Sequence, residues 1–458
     1  MIVVHVSARL SQGGKVPSGN AIEASIKQCV ANAVEGSFDE YPRHLRPMER
    51  LRARLSNDKW EPSGSYAKVD FDLGLPAELF PVGNGGLQHL VNLLSGDIFP
   101  TEVSGCQWLN VNVSSIDLPD GLRATAINQF RGSAHDIRSI RAAFRLPTGK
   151  PLLAFSLKPR VGPTFAEIRQ LTLDVLGTGF NIVELDTRSL ALSAAPIEKW
   201  LELGVEAALV GPHRTAFSPN LSTPTPKLVG MASAWVSTLS PYGPPVLKVD
   251  GGLDGLTSLQ SIRSAARGRS PIVTSYPLLR SQLSSAIGPR TWTDLLALSG
   301  ADIVYPGGRP TFPNERRPIW GAHSEGWSRA ARRYDEMITR GWPMPTIAGG
   351  VHPGHLHALY ELVGPNVAYF LGGAVALHPR SVRDGAKLCV AVLDAAVELA
   401  AEAARAGNDH ARDLPARLLG RVERCRYPTA TPNYFSPSNI FGRPGEDHSP
   451  LTFYLRTG

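Results

Sequence analysis

Residues 151–158 read PLLAFSLK, an apolar run of strand length that opens on a proline, closes on Lys158 and is followed by Pro159-Arg160-Val161-Gly162. A short continuous apolar run of this kind fits a strand buried on both faces, as in a parallel sheet. Seven more such runs follow at helix-bearing intervals: NIVELD (181–186), a weaker RTAFS (214–218), VLKVD (246–250), PIVTSY (271–276), DIVY (302–305), PTIA (345–348) and VAYFL (367–371). Eight strand-plus-helix units in roughly 230 residues match the size of a (β/α)8 barrel, the TIM-barrel architecture. A doubly wound sheet is the competing architecture; it favours five or six strands and an early glycine fingerprint.

The texture before residue 145 is different. An opening run Ile2–Val6, a helical pattern Ala21–Val34, an alternating stretch Tyr66–Leu73 and a helical pattern Leu87–Leu94 predict an α+β domain of ferredoxin-like type with a small antiparallel sheet. The Arg-rich stretch Arg43–Lys59 reads as a solvated strand or helix edge. After the last strand, the Ala-rich amphipathic segment Arg383–Ala406 predicts a helical tail that closes the barrel, and Asn408–Gly458, rich in Pro, Arg and Ser, wraps the surface. The expected division is 1–145, 146–406 and 407–458.

Composition narrows the class of function. The chain has 458 residues, 43% apolar and 19% charged, with 47 basic and 40 acidic side chains and a net charge of +7. Residues 1–150 hold 16 basic and 15 acidic groups, and no run of five like charges occurs, so the surplus is not a nucleic-acid footprint. Arg309–Arg333 holds six arginines against Glu315 and Glu325, which suits attraction of an anionic substrate. No stretch approaches the roughly 20 apolar residues that span a bilayer, and MIVVHVSARL lacks a signal-peptide pattern; the expectation is a cytoplasmic protein without a membrane partner. The four cysteines, Cys29, Cys106, Cys389 and Cys425, make no CxxC pair and read as buried thiols.

In a barrel, catalysis sits at the carboxyl ends of the strands. The first strand places the Lys158 amine beside core side chains, surroundings that favour the uncharged, proton-accepting form, although an anion anchor fits the position too. Glu184 and Asp186 share one face of the second strand by its period of two, and suit either a Mg²⁺ ion or an ion pair with Lys158 or Arg160. Gly349 and Gly350 after strand seven, and Gly372 and Gly373 after strand eight, allow close backbone approach and form the usual phosphate site of such barrels, with structural turns as the alternative. Tyr276, ending strand five, donates a proton or packs. His352, His355 and His357 form an HxxHxH cluster that suits either a metal ion or a loop and helix face, and Gly83–Gly86 lacks the strand–helix setting of a nucleotide loop.

Read in order, LVNLLSGDIF (90–99), FRGSAHDIRSIR (130–141), KPLLAFSLKPRVG (150–162), HRTAFSPN (213–220), ALSGAD (297–302), IAGGVH (347–352) and FLGGAVALHP (370–379) carry a resemblance. The chain resembles the large subunit of ribulose bisphosphate carboxylase, and more closely its non-carboxylating relatives, the RuBisCO-like proteins. The resemblance implies a proton-transfer role for Lys158, with Arg160 where a second lysine usually lies. It implies a metal motif KDDE whose carbamylated lysine binds Mg²⁺; the matching residues are Glu184-Leu185-Asp186-Thr187, so the three-ligand set is not kept. Asp97 replaces an asparagine, Tyr276 and Pro277 a His-Arg pair, and Ala348 a serine, while YPGGR brings Arg309 to the place of a loop lysine. These departures exclude carboxylation of ribulose bisphosphate.

What is kept predicts an isomerase or carbon–carbon lyase acting through an enolate on a phosphorylated ketose-type substrate, with Arg309 closing over the anion. A decarboxylase or hydrolase of a 3-oxo sugar acid phosphate, using Arg160 and Arg309 for the carboxylate, is a second enzymatic reading. A catalytically reduced barrel that binds a metabolite or assembles with partners is a third, of another class. The resemblance also implies a homodimer in which the amino-terminal domain of one subunit covers the barrel mouth of its partner.

Overall fold

The computed structural model describes residues 1–35, 51–81, 86–94, 99, 101–129, 135–159, 162–185, 195–210, 215–223, 225–252, 254–266, 271–275, 287–306, 327–349, 351, 353–378 and 380–406. It forms two compact units. The first comprises Met1–Gly132, Gly251–Ser261 and Pro277–Gly300; the second comprises Ser133–Asp250, Ile262–Tyr276 and Ala301–Gly458.

The first unit is built on strand β1 (Ile2–Ser11), helix α1 (Gly19–Glu35), β2 (Arg54–Ser63), β3 (Tyr66–Leu75), α2 (Gly86–Asn92), β4 (Glu102–Val103) and β5 (Cys106–Asp117). The sheet order β2-β3-β1-β5-β4, with β1 antiparallel to both β3 and β5, is the expected ferredoxin-like arrangement with one short strand added at the edge. Alternation fixes the register: Ile2, Val4, Val6, Ala8 and Leu10 of β1 are buried, as are Ala67, Val69, Phe71, Leu73 and Leu75 of β3. Ile22, Ile26, Cys29, Val30 and Ala33 of α1 supply buried apolar side chains, and Trp108 Nε1 donates to Ser25 Oγ at 2.7 Å. The Arg-rich edge ends in β2, whose side chains are almost all exposed, as expected of a solvated strand.

The segment Pro277–Gly300 completes this unit. Gly288 N donates to Val113 O at 2.7 Å, and a Cβ there would lie 2.2 Å from Ser114 O, so no other residue fits without backbone movement. On the opposite edge of chemistry, His5 contacts Asp72 at 2.6 Å and Asp117 at 3.0 Å. Burial alone would lower the His5 pKa, but hydrogen bonds and charge from Asp117 and Asp72 outweigh it and hold it above 6.5.

The second unit carries the eight expected strands: β6 (Leu152–Ser156), β7 (Ile182–Glu184), β8 (Ala216–Ser218), β9 (Val246–Val249), β10 (Ile272–Ser275), β11 (Ile303–Val304), β12 (Met344–Ala348) and β13 (Ala368–Leu371). They form one parallel eight-stranded sheet in the order β8-β7-β6-β13-β12-β11-β10-β9. Its two ends meet where Lys248 N donates to Pro219 O at 2.9 Å and Leu221 N to Lys248 O at 3.0 Å, which closes the barrel. Helix Val382–Ala406 is the expected tail; Asn408–Gly458 lies outside the described residues.

All eight strands feed one apolar layer: Leu152, Ala154, Ile182, Ala216, Val246, Ile272, Ile303, Met344, Ala368 and Phe370. Helix Ile137–Ala143, capped by Asp136, adds Ile137, Ile140 and Phe144 to the same cluster and seals the end where the strands begin. At that end Asp302, fully buried, pairs with Arg263 and accepts from His135 N and Val273 N, each at 2.8 Å. The carboxyl ends of the strands are therefore left for chemistry.

Candidate functional site

Two residues beyond each apolar position a strand returns to the same face. One pleat above the apolar layer the inward positions change character: Glu184 follows Ile182, Ser218 follows Ala216, Lys248 follows Val246, Thr274 follows Ile272 and Thr346 follows Met344, all buried. Polar side chains in a barrel interior need partners. Glu184 is 2% exposed and both its oxygens are engaged: Lys248 Nζ lies 2.6 Å from Oε1, and Thr274 donates its hydroxyl to Oε2 at 2.9 Å. Lys248 and Thr274 stand opposite each other in the β9–β10 register, so the strand pairing presents both to the carboxylate. Ser218 is in register with Glu184 and fully buried, and its hydroxyl has no hydrogen-bond partner among the described residues.

The next pleat holds a second polar group. Asn220 donates to Asp250 Oδ2 at 3.3 Å and accepts from Ser222 N at 2.9 Å, while Asp250 N donates to Ser222 Oγ at 3.1 Å. This cross-strand link sits above Lys248 at the β8–β9 seam.

Lys158, half-buried, lies two residues past the end of β6. A Cβ on Gly372 would lie 3.0 Å from Lys158 Cε and 3.2 Å from Ser156 O, so the absent side chain of Gly372 makes room for the lysine stem. Gly349 has φ +85°, a left-handed conformation that favours glycine. Gly373 begins a single helical turn, Gly373–Ala376, in which Val375 N and Ala376 N bond back to Gly372 O. Burial holds the His378 pKa below its usual value, and its Nδ1 accepts from Arg380 N.

Of the expected site residues, the structure brings Lys158 and Gly372 together and places Glu184 on the neighbouring strand, with Leu157 N bonded to Glu184 O at 2.9 Å. Gly349 and Gly373 follow the seventh and eighth strands as expected. Arg160, Asp186, Tyr276, Arg309 and Gly350 lie outside the described residues, as do His352 and Cys425. Lys248, Thr274, Ser218 and the Asn220–Asp250 link were not singled out in the sequence. The signal was present for Lys248, a lysine at the inward position of an otherwise apolar strand.

The large chain 2 of ribulose bisphosphate carboxylase from Rhodopseudomonas palustris (strain BisB5) is 22% identical over 406 residues, 83% of this chain and 78% of that protein. The chain is a distant RuBisCO relative. In structure, a rubisco-like protein from Burkholderia fungorum matches 92% of the chain and 99% of its own length with a TM-score of 0.67 at 15% identity. A dimeric archaeal Rubisco from Hyperthermus butylicus matches 92% and 95% with a TM-score of 0.66 at 18% identity. No protein-family model matches the chain. The RuBisCO fold, an α+β amino-terminal domain with a (β/α)8 barrel, is what both units show.

Magnesium, which the resemblance implies, can be tested against the donor set. A divalent cation prefers oxygen ligands free of a competing positive charge. Here an ammonium stands 2.6 Å from one Glu184 oxygen and a hydroxyl donates to the other. As arranged, Glu184 does not fit a divalent ion. Among the described residues no helix is long and apolar enough to cross a membrane.

Proposed function

We propose that this RuBisCO relative is an isomerase or carbon–carbon lyase that forms an enolate from a phosphorylated ketose-type metabolite. The observation that carries the reading is the packing of Lys158 against Gly372, which sets a proton-transfer amine beside a glycine of the expected phosphate cradle. In this reading the uncharged Lys158 amine takes a proton from the carbon beside the substrate carbonyl, the C–H bonding pair forms a carbon–carbon double bond, and the carbonyl π pair moves to the oxygen, giving an enolate. Backbone N–H groups of Gly349, Gly350, Gly372 and Gly373 hold the phosphate, which fixes the reacting carbon relative to the lysine. Arg309 closes over the anion, and Arg160 and Tyr276 supply a cation and a proton donor at the rim.

Carboxylation of ribulose bisphosphate is not part of the reading, because Glu184 stands at the position of the carbamylated lysine and is paired with Lys248. Magnesium on Glu184 and Asp186 would require Lys248 to leave that pair. The archaeal neighbour described as dimeric supports a homodimer; the family resemblance implies that the amino-terminal domain, up to about residue 145, covers the partner's barrel, residues 146–406. We place the protein in the cytoplasm.

The test is exchange of a carbon-bound proton with deuterated solvent, followed by NMR over a panel of ketose phosphates. The wild-type chain exchanges at least one of them, and Lys158→Ala abolishes exchange while phosphate affinity is retained. Exchange by Lys158→Ala at the wild-type rate, or none with any compound, refutes the reading.

A further inference from the structure

The barrel interior holds a positive charge where the resemblance calls for a metal. Lys248 is reached from the fourth strand, buried to 8% of its side-chain surface, and fixed on Glu184, the residue that replaces the carbamylated lysine. Its placement is rigid: β9 is hydrogen-bonded to β10 in register on one side, and the Lys248 backbone closes the barrel seam to Pro219 and Leu221 on the other. An ion pair buried in a core is a poor source of stability, since burying both charges costs about as much as their attraction returns. A function is therefore worth seeking. The same layer holds Ser218, whose buried hydroxyl has no hydrogen-bond partner among the described residues, an acceptor or donor left for something else.

We propose that the Lys248 ammonium, held by Glu184, whose other oxygen accepts from Thr274, replaces the divalent cation as the fixed positive charge that stabilises an oxyanion at the barrel mouth, with the Ser218 hydroxyl as a second donor. This rests on the enolate reading above and deepens it, because an enolate oxygen needs such a charge. A preorganised ammonium in a water-poor site meets that need without a metal, and Glu184 serves to hold it in place. The chemistry then proceeds in the presence of a chelator.

The probes are Mn²⁺, followed by its electron paramagnetic resonance signal, and oxalate, a dianion resembling an enolate, followed by calorimetry in EDTA. The full-length wild-type chain binds oxalate in EDTA, and its Mn²⁺ titration is the same as that of Glu184→Gln. Lys248→Met weakens oxalate by about 10²-fold or more, the scale of losing one oxyanion donor, while affinity for inorganic phosphate is unchanged. Glu184→Gln/Lys248→Met removes both charges together, spares the core an unpaired ion, and shows the same oxalate loss if Lys248→Met alone fails to fold. Stoichiometric Mn²⁺ binding that Glu184→Gln removes overturns the proposal. So does absent oxalate binding by wild type, or oxalate affinity unchanged in the double variant, which would leave the pair a purely structural one. Phosphate that fails to bind wild type counts against the phosphate cradle of the enolate reading and leaves the oxalate and Mn²⁺ results to judge Lys248.

Discussion

Asp302→Asn exchanges one atom at the sealed end of the barrel and is expected to be among the most damaging conservative changes in the chain. Asp302 and Arg263 both have 0% side-chain exposure. Asp302 Oδ1 accepts from His135 N, Oδ2 accepts from Val273 N, and Oδ2 also pairs with Arg263, which donates from its Nη1 to Pro271 O as well. An asparagine offers one carbonyl oxygen in place of two carboxylate oxygens. Either orientation turns an NH₂ toward a buried backbone donor, at a cost of about 1–3 kcal/mol. Arg263 also loses its counter-charge, and breaking a buried pair costs about 3–5 kcal/mol. The two overlap, so about 4 kcal/mol is expected against a typical total of about 5–15 kcal/mol. At about 2–4 °C per kcal/mol for a unit of this size, the melting point in scanning calorimetry falls by roughly 8–16 °C. Arg263→Met costs less, because the carboxylate left behind keeps two backbone N–H donors. A loss under 1 kcal/mol for Asp302→Asn, or a larger loss for Arg263→Met, would refute the reasoning.

Three further outcomes are expected. Gly204→Ala, in helix Ile197–Leu209, places a methyl 2.5 Å from Trp235, a fully buried ring whose Nε1 is bonded to Val246 O, and should lower stability by about 1–3 kcal/mol in urea unfolding. The first unit should be most stable from about pH 4 to about 6.5. The raised His5 pKa contributes stability below its unfolded value that is lost as pH rises through the folded one; the lowered Asp72 pKa contributes above its unfolded value and is lost as pH falls. His5→Gln should therefore flatten the decline in stability above pH 6.5. Finally, burial pushes the Cys29 and Cys389 thiols up to about 12, and Cys106 is buried too, so no more than one of the four cysteines should react with Ellman's reagent at pH 8 before unfolding, and all four after it.

The barrel was legible because each of its strands is buried on both faces and reads as a short apolar run. Strand β5 was not, since CQWLNVNVSSID sets polar residues among apolar ones and leaves Leu109 exposed at 43%. The strand-end positions of Lys158, Gly349, Gly372 and Gly373 were legible in the sequence. The Glu184 partner was not: a carboxylate at a strand end fits a metal, Lys158 or Arg160 equally, and the choice of Lys248 is made by strand register across 64 residues of sequence. The motif ALSGAD, a marker of the family resemblance, ends in Asp302 and serves the sealed end rather than the chemistry.

The first unit is also unusual in when it can exist. Its last segment, Pro277–Gly300, supplies Gly288 to the open edge of β5, and Gly251–Ser261 belongs to it as well. On the ribosome, which releases the chain from its amino terminus, the unit begun first cannot be finished until residue 300 has emerged, by which time five barrel strands have already been made. A gene fragment ending at residue 132 therefore encodes an incomplete object, whose antiparallel sheet lacks the backbone partner that Val113 O is built to receive. Assembly of the two units is thus coupled by chain order, and a mutation in the segment after the fifth barrel strand acts on the folding of the amino-terminal sheet.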